Sequence, residues 1–193
     1  MNKKKNIIIG LVGLPGAGKT TVSEYLEKKG FKRITLSDFI KIEAGKKGIT
    51  EFSRDVLQNY GNAMRKEFGP HILAQLALGE IKNLNAQKVV IDGVRNLYEI
   101  AYLQVENHFT LVGITADPKV RYQRMCGRTS KSKDKTYTQF LNEEHREESL
   151  GSREIGLRVK DCLKRVSYRI KNDKDIPALE NQVDKLVQKI NTI

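Results

Sequence analysis

The residues that most constrain the fold run from Gly13 to Thr21 and read GLPGAGKTT. They fit the phosphate-loop pattern G-x-x-x-x-G-K-[ST]. The apolar, β-branched run IIIGLV comes directly before the loop, and a helical pattern follows it. Strand, loop and helix are the context that such a loop requires, so we expect it to bind a nucleoside triphosphate, ATP. The loop alone leaves open whether the terminal phosphate goes to water, to a small molecule or nowhere.

Each part of the loop has an expected task. Its glycines allow backbone N–H groups to approach phosphate oxygens closely, and the following helix adds the positive end of its dipole. Lys19 can reach the β- and γ-phosphates, and the hydroxyl of Thr20 can bind Mg²⁺. The predicted nucleotide contacts in the loop are Gly13, Gly16, Ala17, Gly18, Lys19, Thr20 and Thr21.

Strand and helix patterns alternate along all 193 residues. This order predicts one α/β domain with a five-stranded parallel sheet and helices on both faces. The predicted strands are NIIIGLVG, FKRITL, KVVIDG, FTLVGIT and VSYRIKN. The helical stretch at about 37–84 would form an acceptor site, and the polar region 128–156 would form a small helical lid.

Helix-capping patterns mark several boundaries. Ser37 and Asp38 can cap the helix after the second strand. Asp117 with Pro118 predicts another helix start, and Thr136 with Gln139 fits a capping box.

Composition limits the class of protein. The net charge of +12 favours anionic partners, namely nucleotides, nucleic acid or an acidic surface, and does not choose among them. No apolar run is long enough to span a bilayer. Cys126 and Cys162 show no metal-ligand spacing, so we expect free thiols and a reducing cytoplasm. Composition leaves the oligomeric state open.

A second group of polar residues follows the third strand, in VVIDGVRN. A carboxylate at the end of a buried strand is costly unless it is paired or binds a metal, and parallel sheets bind ligands at this end. We therefore expect Asp92 to hold Mg²⁺ and Arg95 to clamp a phosphate. The alternative is a structural pairing of Asp92 with a helix N-terminus.

Further arginines lie on predicted helices. Arg121, Arg124 and Arg128 share one helix face and could neutralise charge on transferring phosphate oxygens, or form a solvated basic face. Arg54 and Arg65 could hold an anionic acceptor, although spacing alone does not distinguish them from surface arginines.

Together these segments resemble the P-loop kinases of the nucleoside monophosphate kinase superfamily over nearly the whole chain. The resemblance is strongest to dephospho-coenzyme A kinase-like and adenylate kinase-like proteins. TLSDFIKIEAGKKG resembles their acceptor-binding segment, VVIDGVRN their DG-x-x-R segment and ADPKVRYQRMCGR the helix before their arginine-bearing lid. RIKNDKDIPALENQV resembles the turn beside the adenine, which implies that Asn172 lies near the base.

The resemblance also implies roles at the acceptor. It places Ser37 and Asp38 in the acceptor segment, and Asp38 matches the aspartate that serves dephospho-coenzyme A kinases as a base. The Thr-Gly-Asp and arginine of adenylate kinases are absent there, which favours Arg54 and Arg65 in their place. We expect transfer from ATP to a nucleotide-like acceptor, first of all a (deoxy)nucleoside monophosphate, with Lys19, Asp38, Arg95, Arg124 and Arg128 as catalytic residues. Transfer to a sugar hydroxyl, and a regulatory or nucleic-acid-associated ATPase, are the alternatives.

Overall fold

The fold is taken from a computed structural model, which describes residues 6–106, 108–127, 136–149 and 156–192. For Arg54 and residues 146–149 it describes the backbone alone. The elements of the described residues, in chain order, are β1 (Ile7–Val12), α1 (Lys19–Lys28), β2 (Lys32–Thr35), α2 (Leu36–Lys46), α3 (Arg54–Phe68), α4 (Ile72–Leu84), β3 (Lys88–Asp92), α5 (Leu97–Leu103), β4 (Phe109–Thr115), α6 (Pro118–Cys126), α7 (Tyr137–Ser149), α8 (Val159–Leu163), β5 (Tyr168–Lys171) and α9 (Ile176–Asn191).

The strands form one parallel sheet in the order β2-β3-β1-β4-β5. In the centre, Ile9 of β1 lies between Val90 of β3 and Thr110 of β4. Neighbouring residues of β1 enter different cores, Ile8 on one face and Ile9 on the other. The predicted five-stranded parallel sheet with helices on both faces is therefore confirmed.

Each face of the sheet is covered by its own helices. On one face, α1 and α9 bury residues such as Leu26 and Val183. On the other, α2, α4, α5 and α8 bury residues such as Leu36 and Cys162. Burial of these apolar side chains on both sides explains why β1 reads as an almost continuous apolar run.

The start of α2 differs from the prediction. β2 ends at Thr35, which is the N-cap, and the helix begins at Leu36. Ser37 and Asp38 therefore lie inside the first turn, so the capping role predicted for them is wrong. Leu36 is 1% exposed and packs in the same core as Ile40, and this burial favours the earlier helix start.

The predicted lid is only partly within the described residues. Residues 128–135 and 150–155 lie outside them, whereas α7 falls between. Thr136 and Gln139 do form the predicted capping box, with reciprocal bonds of 2.8 and 3.2 Å between backbone N–H and side-chain oxygen. The short helix α8 was not predicted. No helix in the described part of the chain is long and apolar enough to cross a membrane.

Candidate active site

A cavity of about 460 Å³ lies where β1, β2 and β3 end. Its walls come from the phosphate loop, from α2 and α3, and from the segment after β3. This is the edge at which open parallel sheets bind ligands. The two segments that the sequence assigned to donor and acceptor thus share one cavity.

The phosphate loop needs glycine at two positions with left-handed backbone. Gly16 has φ +77° and Gly18 has φ +100°. A Cβ atom at Gly16 would lie 2.7 Å from the carbonyl oxygen of Arg121, and one at Gly18 would clash with Nδ2 of Asn172. The Lys19 ammonium donates to the carbonyl oxygens of Gly13 at 2.7 Å and Leu14 at 3.3 Å, so it lies folded over the loop.

Asp92 ends β3 at the floor of the cavity and is 5% exposed. The hydroxyl of Ser23 lies 3.5 Å from its Oδ2, and Nη2 of Arg33 lies 4.0 Å from the same atom. Thr20 lines the cavity with Asp92. These two side chains supply the hard oxygen atoms that Mg²⁺ prefers.

The buried carboxylate of Glu99 fixes the backbone of the segment that follows Asp92. Glu99 is 0% exposed, and its Oε1 accepts from Nε and Nη2 of Arg65 at 3.2 and 2.8 Å. Its Oε2 accepts from the backbone N–H groups of Arg95 and Asn96 at 2.9 and 3.1 Å. Asn96 caps α5 in return and donates to the carbonyl of Gly156. Glu99 therefore joins α3, the Arg95 segment and, through Asn96, the chain at Gly156.

The arginines of α6 have different partners. Arg121 is 3% exposed and donates to the carbonyls of Pro15 and Ala116 and to the carboxylate of Glu144 on α7. The alternative of a solvated basic face is wrong for Arg121, because its guanidinium is buried in these contacts. Arg124 makes longer contacts, 3.5 Å to the carbonyl of Gly16 and 3.4 Å to Oδ1 of Asn172.

A residue at the end of β5 bonds to the phosphate loop. Asn172 is buried, and its Nδ2 donates to the carbonyl of Ala17 at 2.9 Å. Next to it, Asp173 bonds to the Lys171 ammonium and to the backbone N–H of Asp117, and these contacts lower the pKa of the Asp173 carboxyl. The Asn172 amide thus holds the loop that bears the phosphate-binding groups.

Comparison with known proteins agrees with this geometry. The family AAA_18, described as an AAA domain, matches residues 9–151. The UPF0200 protein of Pyrobaculum aerophilum is 33% identical over 182 residues, which cover 93% of this chain and 96% of that protein. The chain belongs to the AAA_18 and UPF0200 families. This confirms the predicted membership of the P-loop kinase-like superfamily.

Solved structures share the fold of this AAA domain. The crystal structure of TT1252 from Thermus thermophilus has a TM-score of 0.64 and 18% identity, and covers 96% of this chain and 98% of that one. A shikimate kinase from Acinetobacter baumannii, in complex with shikimate, has a TM-score of 0.58 and 18% identity over 98% and 95% of the two chains. At these identities the likeness shows that the fold is that of P-loop kinases.

The cavity is lined by many of the predicted site residues. Those in its walls are Gly13, Gly16, Gly18, Lys19, Thr20, Ser37, Arg65, Asp92 and Arg95. Ala17, Thr21, Asp38, Arg124 and Asn172 are described but are not among the lining residues. Arg128 lies outside the described residues, and the side chain of Arg54 is not described.

A catalytic base was predicted at Asp38, which lies in the first turn of α2. Its side chain is 54% exposed and pairs with Lys41, with Nζ 2.7 Å from Oδ1. Arg65 also differs from expectation, since it reaches the cavity wall with its guanidinium already bonded to Glu99.

Some lining residues were missed by the sequence analysis. They are Arg33, Thr35, Gln58 and Glu144 among the polar ones, and Leu36, Ile40, Phe52, Leu57 and Leu73 among the apolar ones. The alternation of β2 could have indicated Arg33, because it shares a strand face with Thr35 at the end of the strand. Glu144 comes from a helix far along the chain, and no local pattern marks it.

Proposed function

We propose that this protein is an ATP-dependent kinase that transfers the γ-phosphoryl group to a nucleotide-like acceptor, namely a (deoxy)nucleoside monophosphate. The observation that carries this proposal is the shared cavity, in whose walls Lys19 of the phosphate loop stands with Ser37 of α2 and Gln58 of α3. A site that only hydrolysed ATP would not need the acceptor helices in the same wall.

The donor half would bind ATP through the loop. The backbone N–H groups at the start of α1, together with the helix dipole, favour phosphate oxygens. Lys19 bonds to loop carbonyls, and it would exchange them for the β- and γ-phosphates, where its charge is needed as negative charge develops.

Thr20 and Asp92 fit the requirements of Mg²⁺. Both supply hard oxygen atoms to the cavity. Among the described residues, the Asp92 carboxylate has a 3.5 Å contact from Ser23 and a 4.0 Å contact from Arg33. Within the described ranges no three His, Cys, Asp or Glu residues form a metal site, so the nucleotide phosphates would complete the coordination. The ion would neutralise charge on the β- and γ-phosphates.

The acceptor half supports a nucleotide with its phosphate towards Arg95. The Arg95 backbone is fixed by Glu99, and Arg95 lines the cavity. Apolar walls from α2 and α3 suit a flat nucleobase, and Ser37 and Gln58 offer polar contacts. A phosphate acceptor is already ionised and needs no general base, which agrees with the exposed position of Asp38.

Arginines beside the loop would act on the transferring group. Arg124 lies against Gly16, which supports a role in neutralising the phosphate oxygens, and we propose the same role for Arg128. The single-domain organisation with a lid from about 128 to 156 would exclude water during transfer.

The test compares ATP consumption with and without acceptors. We expect turnover to depend on an added nucleoside monophosphate, and Lys19→Met to abolish it. Lys164→Met is the matched control, because Lys164 is exposed and pairs with Asp161 three residues before it. Equal ATP consumption without any acceptor would favour the ATPase alternative, and turnover only with dephospho-coenzyme A would favour transfer to a hydroxyl.

A further inference from the structure

The guanidinium of Arg33 lies among three carboxylates at the edge of the candidate metal site. Its Nη1 is 3.8 Å from Glu24 and 3.6 Å from Glu27, and its Nη2 is 4.0 Å from Asp92. Arg33 also lines the cavity together with Thr20 and Asp92. A cation of the protein thus lies beside the carboxylate that would hold Mg²⁺.

The Arg33 guanidinium balances the charge of these three carboxylates. All three separations exceed ordinary hydrogen-bond lengths, and Nε of Arg33 is buried without a hydrogen-bond partner among the described residues. The two glutamates are 56% and 45% exposed, so water stabilises them. Asp92 is 7% exposed at its side chain, so it depends on the nearby positive charge far more than they do.

We propose that Arg33 is the internal counter-cation of Asp92 and that it holds the metal affinity of this carboxylate low until nucleotide phosphates arrive. Arg33 is then a positioning residue, which acts on the metal through Asp92. Without nucleotide, the guanidinium balances the buried charge and disfavours a divalent cation beside it. Phosphates of the nucleotide add negative charge, which outweighs Arg33, so metal and nucleotide bind together. This inference rests on the proposed function, since it concerns the metal of the same site.

The test measures Mn²⁺ binding to the full chain, from the electron paramagnetic resonance signal of free Mn²⁺, with and without a non-hydrolysable ATP analogue. Because the analogue chelates Mn²⁺ by itself, binding is counted relative to a protein-free titration of the analogue. We expect the wild type to bind Mn²⁺ with the analogue and about tenfold or more weakly without it. Arg33→Met should tighten binding without nucleotide by about threefold or more, because a neighbouring positive charge is removed. Arg33→Lys, which keeps the charge, should bind Mn²⁺ without nucleotide about as weakly as the wild type.

Thermal unfolding without metal gives a second readout. Arg33→Met should lower the unfolding temperature by several degrees, because Asp92 loses its counter-charge, and saturating Mn²⁺ should restore part of the loss. Arg165→Met is the matched control: Arg165 is exposed and outside the cavity lining, so the same change in net charge should alter neither readout.

The possible outcomes distinguish a failure of this inference from a failure of the metal site itself. If the wild type binds Mn²⁺ with the analogue but Arg33→Met binds the metal equally or more weakly without nucleotide, the counter-cation role is wrong and the kinase proposal stands. If the wild type binds no Mn²⁺ even with the analogue, the metal site and this inference both fail.

Discussion

Arg65 and Glu99 form a buried ion pair between α3 and α5, with Nη2 donating to Oε1 at 2.8 Å. Their side chains are 3% and 0% exposed. The other carboxylate oxygen holds the backbone of Arg95. This pair therefore connects α3 to the arginine that we propose for the acceptor phosphate.

Breaking this pair should destabilise the protein strongly. Arg65→Met leaves Glu99 buried with only its backbone donors, and we expect the free energy of unfolding in urea to fall by about 3–5 kcal/mol. Lys46→Met is the control, because the exposed Lys46–Glu43 pair should contribute about 0–1 kcal/mol. A loss below about 1 kcal/mol for Arg65→Met would contradict the importance of the pair. The double variant Arg65→Met/Glu99→Gln should recover part of the loss, since it buries no charge.

Two aspartates should differ sharply in their effect on turnover. Asp92→Asn removes the cavity charge that we propose to bind the metal, and we expect the turnover rate to fall by about 100-fold or more. Asp38→Asn changes an exposed carboxylate paired with Lys41, and turnover should stay within about threefold of wild type. Steady-state kinetics on both variants, with circular dichroism to check the fold, measures this. A loss well over tenfold for Asp38→Asn would instead support its role as a base.

Asn172 should stabilise the phosphate loop without affecting which nucleobase the protein prefers. Asn172→Ala removes the bond to the carbonyl of Ala17, worth about 1 kcal/mol, so nucleotide affinity should fall roughly fivefold. The ratio of ATP to GTP affinity, measured by calorimetry, should not change. A changed ratio would show that Asn172 contacts the base, as the family resemblance implies. Asn83→Ala, at an exposed position of α4, is the control.

The two cysteines should react differently with an alkylating reagent. Cys162 is fully buried, and this burial, with Glu99 and Asp161 nearby, raises the pKa of its thiol well above the ordinary range. Cys126 is half-buried and accessible. We expect N-ethylmaleimide to label Cys126 alone in the folded protein and both cysteines in denaturant, as seen by mass spectrometry. Labelling of both at equal rates in the folded state would contradict the packing of α8.

The Cys162 thiol should make the folded protein less stable at high pH. Its pKa in the folded protein lies above its unfolded value, so the folded state favours the protonated form. The contribution of Cys162 is therefore fully present below the unfolded pKa and is lost as pH rises above it. Cys162→Ala should reduce the loss of stability above about pH 8.5, as measured by urea unfolding at several pH values.

Local patterns were sufficient for much of the fold. The strand Phe109–Thr115 and the Asp117–Pro118 helix start were both predicted from short-range periodicity and capping, and the structure contains them. The start of α2 was not predicted correctly, because the burial of Leu36 decides it and Ser37 and Asp38 give a misleading capping pattern.

The part of the candidate site that could not be predicted from the sequence is the pairing of its charged side chains. The phosphate loop and Asp92 follow from motifs, and both line the cavity. The partners of Arg65 and Arg121 are 34 and 23 residues away along the chain, so no local spacing indicates that their charges are already balanced. Two of the arginines that were predicted to bind phosphate, Arg65 and Arg121, therefore form ion pairs within the folded protein.

The most direct measurement follows the γ-phosphate itself. Radiolabelled [γ-³²P]ATP is incubated with the protein and a panel of nucleoside monophosphates, and the labelled products are separated by chromatography. We predict that label appears in a nucleoside diphosphate and that Lys19→Met prevents this. Release of all label as inorganic phosphate, with no labelled diphosphate for any acceptor, would contradict the account.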